Sequence, residues 1–179
     1  MPTSPTARRA SLMFLVAALM ALSSGASAQV EQAGQFGDWQ MACQVTEEAT
    51  GDDLPGCFLV QNLFEENSGQ RLLHVRLGIA PDDGAPVVLM NLPLGILLTQ
   101  GIRMQVDEGE VFGAPVLFCE QNGCRAQFKL TPEVRAAFER GERTKVQLRG
   151  ARSGAVIALW FSLRGISAGL AELELRQAG

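Results

Sequence analysis

Six stretches of this chain place apolar residues at every second position, and each runs into turn chemistry. A period of two is the spacing of a strand with one face on a core and one in water. Trp39, Met41, Cys43 and Val45 share a face of the first stretch; Leu73, Val75, Leu77 and Ile79 share a face of the second, with His74 and Arg76 opposite. Ile102, Met104 and Val106 alternate with Arg103, Gln105 and Asp107, and Ala126, Phe128 and Leu130 with Arg125, Gln127 and Lys129. Thr144, Val146 and Leu148 alternate with Arg143, Lys145, Gln147 and Arg149; Ile157, Leu159, Phe161 and Leu163 follow. Two further runs, Phe58 to Phe64 and Val87 to Leu92, are apolar on both faces and suit central strands.

The connections between these runs are short. Glu66-Asn67-Ser68-Gly69, Pro81-Asp82-Asp83-Gly84, Asp107-Glu108-Gly109 and Asn122-Gly123 hold residues that tolerate positive φ. One-sided alternation with short turns predicts antiparallel sheet. Eight or nine strands in about 150 residues predict a mainly β, two-sheet antiparallel sandwich. One or two short helices interrupt it. Thr131 caps the first, with Pro132 and Glu133 in its opening turn, Gly141 after its end, and Val134, Ala137 and Phe138 on one face. A second is expected from Ser167 to about Glu174, with Leu170 and Leu173 inward.

Residues 1–28 have the three-part pattern of a secretory signal peptide: Arg8 and Arg9, an apolar stretch from Leu12 to Leu22, and the small-residue site Ala26-Ser27-Ala28. The apolar stretch is too short to span a bilayer as a helix, so no transmembrane span is expected after cleavage before Gln29. Residues 29–179 contain no linker or internal repeat and read as a single domain. The hydrophobic fraction of 47% is that of a globular chain. The formal net charge is −4, and loss of Arg8 and Arg9 makes it more acidic still, which excludes a general attraction to nucleic acid. An outer-membrane barrel of eight tilted strands would fit the length, but its aromatic girdles are missing from a chain with no tyrosine and two tryptophans.

The four cysteines, Cys43, Cys57, Cys119 and Cys124, permit three connectivities. Local geometry favours Cys43 with Cys57, across a hairpin of segments 36–45 and 56–66 closed by the acidic loop Glu47 to Pro55. It likewise favours Cys119 with Cys124, as the closing pair of a four-residue loop Glu120 to Gly123. A tighter two-residue Asn-Gly turn would set this second pair diagonally, a poorer fit. Zinc and redox roles are the alternatives. The spacings match neither zinc knuckles nor a C-x-x-C redox motif.

Catalytic constellations are sparse. The chain's single histidine, His74, has no G-x-S-x-G or H-E-x-x-H around it and reads as an exposed bystander on a polar strand face. Asp52-Asp53 and Asp82-Asp83 read as solvated turn residues. No phosphate loop or dinucleotide fingerprint appears, so neither a cofactor nor an enzymatic activity is expected. Charge is segregated instead. Residues 29–70 contain no Lys or Arg, whereas Arg125, Lys129, Arg143, Lys145 and Arg149 stand on the polar sides of predicted strands. These five are candidate residues for meeting an anionic surface such as lipid headgroups or a polyanionic glycan; mutual solvation of acidic and basic segments is the competing explanation. The segment Arg143 to Arg149 is also a candidate charged edge strand, open to β-augmentation.

Phe36-Gly37-Asp38-Trp39 with Cys43 following, Asn91-Leu92-Pro93-Leu94-Gly95 leading to Gly101-Ile102, Asp107, the Cys119 to Cys124 hairpin and Ser162-Leu163-Arg164-Gly165 resemble, in order and spacing, the invasion-associated locus B family. The resemblance covers nearly all of the chain after the export segment. It implies an exported protein of Gram-negative bacteria, periplasmic or associated with the outer membrane, with an immunoglobulin-like β-sandwich. It also implies that the four cysteines form disulfides; it brings no catalytic residues. One departure is Gly165-Ile166 where the family usually has Gly-Phe. The function expected is that of a non-enzymatic interaction module for an envelope protein, a glycan or an anionic lipid surface. A surface-exposed host-cell invasion or adhesion factor is the alternative, and an enzyme with an unrecognised carboxylate site a more distant one.

Overall fold

The computed structural model describes residues 30–44 and 56–178. Residues 1–28, read from the sequence as an export signal, the acidic loop and Val45 lie outside them. The described chain forms eleven strands: β1 (Val30–Phe36), β2 (Trp39–Gln44), β3 (Cys57–Phe64), β4 (Arg71–Ile79), β5 (Pro86–Leu92), β6 (Ile102–Val106), β7 (Val111–Ala114), β8 (Val116–Glu120), β9 (Gly123–Lys129), β10 (Arg143–Arg149) and β11 (Val156–Ser162). Helix α1 (Pro132–Arg140) precedes β10, and α2 (Ile166–Ala178) follows β11. All pairings are antiparallel, in a seven-stranded sheet of order β1-β2-β3-β4-β5-β9-β8 and a four-stranded sheet of order β11-β10-β6-β7.

The alternation explains how the sheets face each other. Trp39, Met41, Leu59, Leu73, Val75, Leu77 and Met90 point inward from the large sheet, and Ile102, Met104, Val146, Leu148, Leu159 and Phe161 from the small one. Phe138 of α1 and Leu170 and Leu173 of α2 complete this core. Edge-to-face and tilted ring contacts run through it from Phe112 and Phe128 to Phe138, Phe161 and Trp39, with centroids 6.0 to 6.5 Å apart. Helix α2 lies against the inner side of the large sheet. Gly169 makes that possible: a Cβ there would stand 2.6 Å from Leu59 Cδ1.

Helix α1 follows its sequence signals. The Thr131 hydroxyl accepts from the Val134 N–H, Pro132 occupies the first turn, and Gly141 ends the helix. Helix α2 runs further than the expected Ser167 to Glu174: Ile166 starts its buried stripe one position earlier, and beyond Leu173 the last turn is exposed and carries the i,i+4 pair of Glu172 with Arg176.

Three expectations are corrected. Strands β1 and β7 are additions: β1 is polar at most positions and bulged between Gln32 and Gly34, and β7 has only four residues, so neither shows a clear period of two. The Arg143 to Arg149 segment is not an edge, because β10 is paired on both sides, to β11 and to β6. The β8–β9 turn is tighter than the expected four-residue loop Glu120 to Gly123, with Gln121 and Asn122 at its centre. Glu120 pairs with Gly123, and Cys119 lies directly opposite Cys124.

Candidate functional site

The outward positions of the four-stranded sheet are set by the core residues between them. With Thr144, Val146 and Leu148 buried, Arg143, Lys145, Gln147 and Arg149 must face out. The register then fixes their neighbours. Lys145 lies between Trp160 of β11 and Gln105 of β6, Gln147 between Ala158 and Arg103, and Arg149 beside Val156. Arg103, Arg143, Lys145 and Arg149 therefore share one surface, and none of the outward positions of the four strands is a carboxylate.

Trp160, on the outermost strand β11, borders this surface and is 38% exposed. The Arg143 guanidinium carbon lies 4.7 Å from its ring centroid and Lys145 Nζ 5.3 Å. Such contacts contribute about 0.5–1 kcal/mol at an exposed site and hold the cations close together. Arg149 is oriented by Gln100 Oε1, 3.0 Å from its Nε, and by the Gly154 carbonyl, 2.7 Å from its Nη1. Asp107 fixes the start of β10. Its carboxylate accepts the N–H groups of Glu142 (3.0 Å) and Arg143 (3.2 Å), and its own backbone takes a φ of 45° to do so.

The five cations singled out from the sequence do not form one surface. Arg125 and Lys129 belong to β9 and face outward from the seven-stranded sheet, on the opposite side of the sandwich from Arg143, Lys145 and Arg149. Arg125 lies over the Phe118 ring at 5.6 Å. Lys129 Nζ pairs with Asp83 at 2.5 Å and Asp82 at 3.4 Å. That contact holds the Asp83 carboxyl below its usual range and raises the lysine. Arg103 completes the basic surface, yet it lies outside the basic segment that drew attention in the sequence; its polar place in the 102–106 alternation was the available signal.

Cys43 is joined to Cys57 and Cys119 to Cys124, each pair directly cross-strand. His74 is half-buried rather than an exposed bystander, because its side of β4 carries a second apolar cluster of Ala42, Phe58, Ala80, Val87 and Leu89. Its Nδ1 is 2.7 Å from Asn62 Oδ1. Burial first, then Arg76, Arg71 and Arg125, lowers its pKa to about 4, so the ring is neutral near pH 7. Among the described residues no three His, Cys, Asp or Glu side chains gather where a metal ion would be held. No described helix is long and apolar enough to cross a membrane. A cleft of about 440 Å³ opens between α1 and the β6–β7 turn, over Val106, Phe112 and Val134 with Glu110, Glu133 and Arg140 around it; nothing in the sequence marked it.

Known proteins place these features in a family. No curated relative matches the sequence. The crystal structure of invasion associated protein B from Bartonella henselae superposes with a TM-score of 0.71 at 22% identity, covering 85% of this chain and 100% of that one. At that identity the likeness bears on the fold, and it is the same sandwich. The family model for the invasion associated locus B (IalB) protein matches residues 39–174, from the tryptophan after the Gly37 turn into α2. The chain belongs to the invasion-associated locus B family.

Proposed function

We propose that this chain is a non-enzymatic exported module of the bacterial envelope that takes an anionic partner on the outer face of its four-stranded sheet. The observation that carries the reading is the set Arg103, Arg143, Lys145 and Arg149 on one sheet face bordered by exposed Trp160, with no carboxylate at the outward positions between them. Clustered like charge on a flat face raises the local concentration of an oppositely charged partner even when the whole chain is acidic. The signal-like segment 1–28 and the paired cysteines support export to an oxidising compartment, the periplasm. Arg125 and Lys129 contribute a separate and weaker surface, Lys129 being neutralised by its aspartates.

Heparin serves as a generic polyanion to test the reading. The purified chain is expected to be retained at low salt and released as salt screens the face. Absence of retention, or retention that salt does not change, would overturn it.

A second reading is a surface-exposed invasion factor. It is favoured by the name of the structural neighbour, an invasion associated protein. Protease added to whole cells separates the two, since a periplasmic chain stays intact and a surface-exposed one is cut.

A further inference from the structure

The sandwich leaves four sheet edges, and three are protected. Strand β1 is bulged at Gln32–Gly34, β8 is bulged at Val116–Phe118 and tied by Cys119, and β7 has four residues with Gly113 among them. The fourth, β11, is Val156-Ile157-Ala158-Leu159-Trp160-Phe161-Ser162. It has no charge, no Pro, no Gly and no irregularity in its register with β10. Among the described residues nothing pairs with its other side.

The hydrogen-bond parity shows what that edge offers. Gly150 N–H donates to the Ala155 carbonyl and Leu163 N–H to the Glu142 carbonyl, so residues 155, 157, 159, 161 and 163 turn their main-chain groups toward β10. Residues 156, 158, 160 and 162 turn theirs away. At Ser162 these outward groups are taken: its N–H donates to Gln61 Oε1 (2.7 Å) and its carbonyl accepts Trp39 Nε1 (3.0 Å). Three donor–acceptor sets, at Val156, Ala158 and Trp160, remain along the open edge. Ile157, on the core side of the strand, is still 37% exposed and would be covered by one more strand.

We propose that β11 accepts a fifth strand, an extended protein segment whose outward side chains are acidic and whose inward side chains are apolar. The acidic preference rests on the anionic-partner reading above; the main-chain pairing does not. Arg143, Lys145 and Arg149 lie one strand behind β11, about 10 Å from the added strand, within reach of long side chains on both sides. A second copy of this chain fits less well, because symmetric β11 pairing would set two copies of those cations on one continuous face.

The probe is an end-blocked octapeptide of alternating glutamate and valine. Amide exchange at Val156, Ala158 and Trp160 is expected to slow on its addition. Ala158→Pro removes an outward N–H that the fold itself does not use, so the urea midpoint should hold. Peptide affinity should fall at least about tenfold, the scale of a lost main-chain bond and its neighbours. The same peptide N-methylated at alternate residues should not bind, which tests the pairing without changing the protein. Equal binding to Ala158→Pro, equal binding of the methylated peptide, no binding of the parent peptide, or a native dimer dissolved by Ala158→Pro would overturn the proposal. If charge reversal at Arg143, Lys145 and Arg149 abolishes heparin retention while Ala158→Pro leaves peptide binding unchanged, the edge falls and the anionic reading stands. If an alternating lysine–valine peptide binds as well as the glutamate one and Ala158→Pro abolishes both, the edge stands without its acidic preference.

Discussion

Asp38 and Arg164, 126 positions apart, meet in a two-pronged ion pair, Nε to Oδ2 at 2.9 Å and Nη2 to Oδ1 at 3.0 Å. The backbones beneath them touch as well. The Asp38 N–H donates to the Arg164 carbonyl at 3.1 Å, and the Trp39 indole N–H to the Ser162 carbonyl at 3.0 Å. Phe36-Gly37-Asp38-Trp39 and Ser162-Leu163-Arg164-Gly165 thus form one clamp between the β1–β2 turn and the entry to α2.

The clamp depends on two glycines. A Cβ on Gly37 would stand 2.4 Å from the Arg164 carbonyl oxygen, and one on Gly165 would stand 2.1 Å from that of Phe36; both have positive φ. Gly165→Ala combines a backbone collision with a left-handed conformation and should cost more than about 2 kcal/mol. A urea midpoint equal to wild type would contradict this.

The charges of the clamp should show in its pH dependence. The Arg164 hydrogen bond, chiefly, holds the Asp38 carboxyl below its usual range. The pair's contribution is then present above the ordinary carboxylate pKa and is lost only as pH falls through the depressed value. Asp38→Asn should lower the urea midpoint at pH 7, and the gap to wild type should close in strong acid. The exposed guanidinium makes the gap a small one.

His74 makes a prediction of the same sign in a different window. Its folded pKa of about 4 lies below the ordinary 6.5, so the unfolded chain binds more protons between those values. Stability should be flat above pH 6.5, fall as pH drops toward about 4, and level off below. Partial exposure limits the loss to about 1–2 kcal/mol. His74→Gln should flatten that slope. As the chain's only histidine, its ring signals are unambiguous in NMR; a midpoint near 6.5 would contradict the burial argument.

The disulfides should act on stability and leave the basic face alone. The loop-entropy estimate gives about 3 kcal/mol for closing the span from Cys43 to Cys57 and about 2 for Cys119 to Cys124. Replacing both members of either pair by serine should lower the urea midpoint accordingly, with heparin retention unchanged. Lost retention in the Cys119→Ser, Cys124→Ser variant would show that the two sides of the sandwich are coupled.

The parts of the fold legible in sequence are those where one residue type settles the answer. Alternating apolar positions placed the core strands, Thr131, Pro132 and Gly141 placed α1, and short cross-strand spacing placed the cysteines. What escaped depends on long-range pairing. Nothing local says that β10 lies between β6 and β11, and that pairing makes β11 the edge. Nor does the basic segment reveal that Arg125 and Lys129 belong to the other sheet, since the chain crosses between sheets through α1. His74 was misjudged for a related reason: its strand alternates, but a second apolar cluster covers the side that alternation marks as polar.

The account turns on which face meets the anion. The most direct measurement is heparin affinity, followed through fluorescence of exposed Trp160 in a Trp39→Phe background and repeated for charge reversals on each face. The predicted result is that Arg143→Glu, Lys145→Glu and Arg149→Glu together lower affinity at least tenfold, by roughly 1.4 kcal/mol or more, while Arg125→Glu with Lys129→Glu changes it little. Equal losses from the two faces, or none from the first, would contradict the central claim.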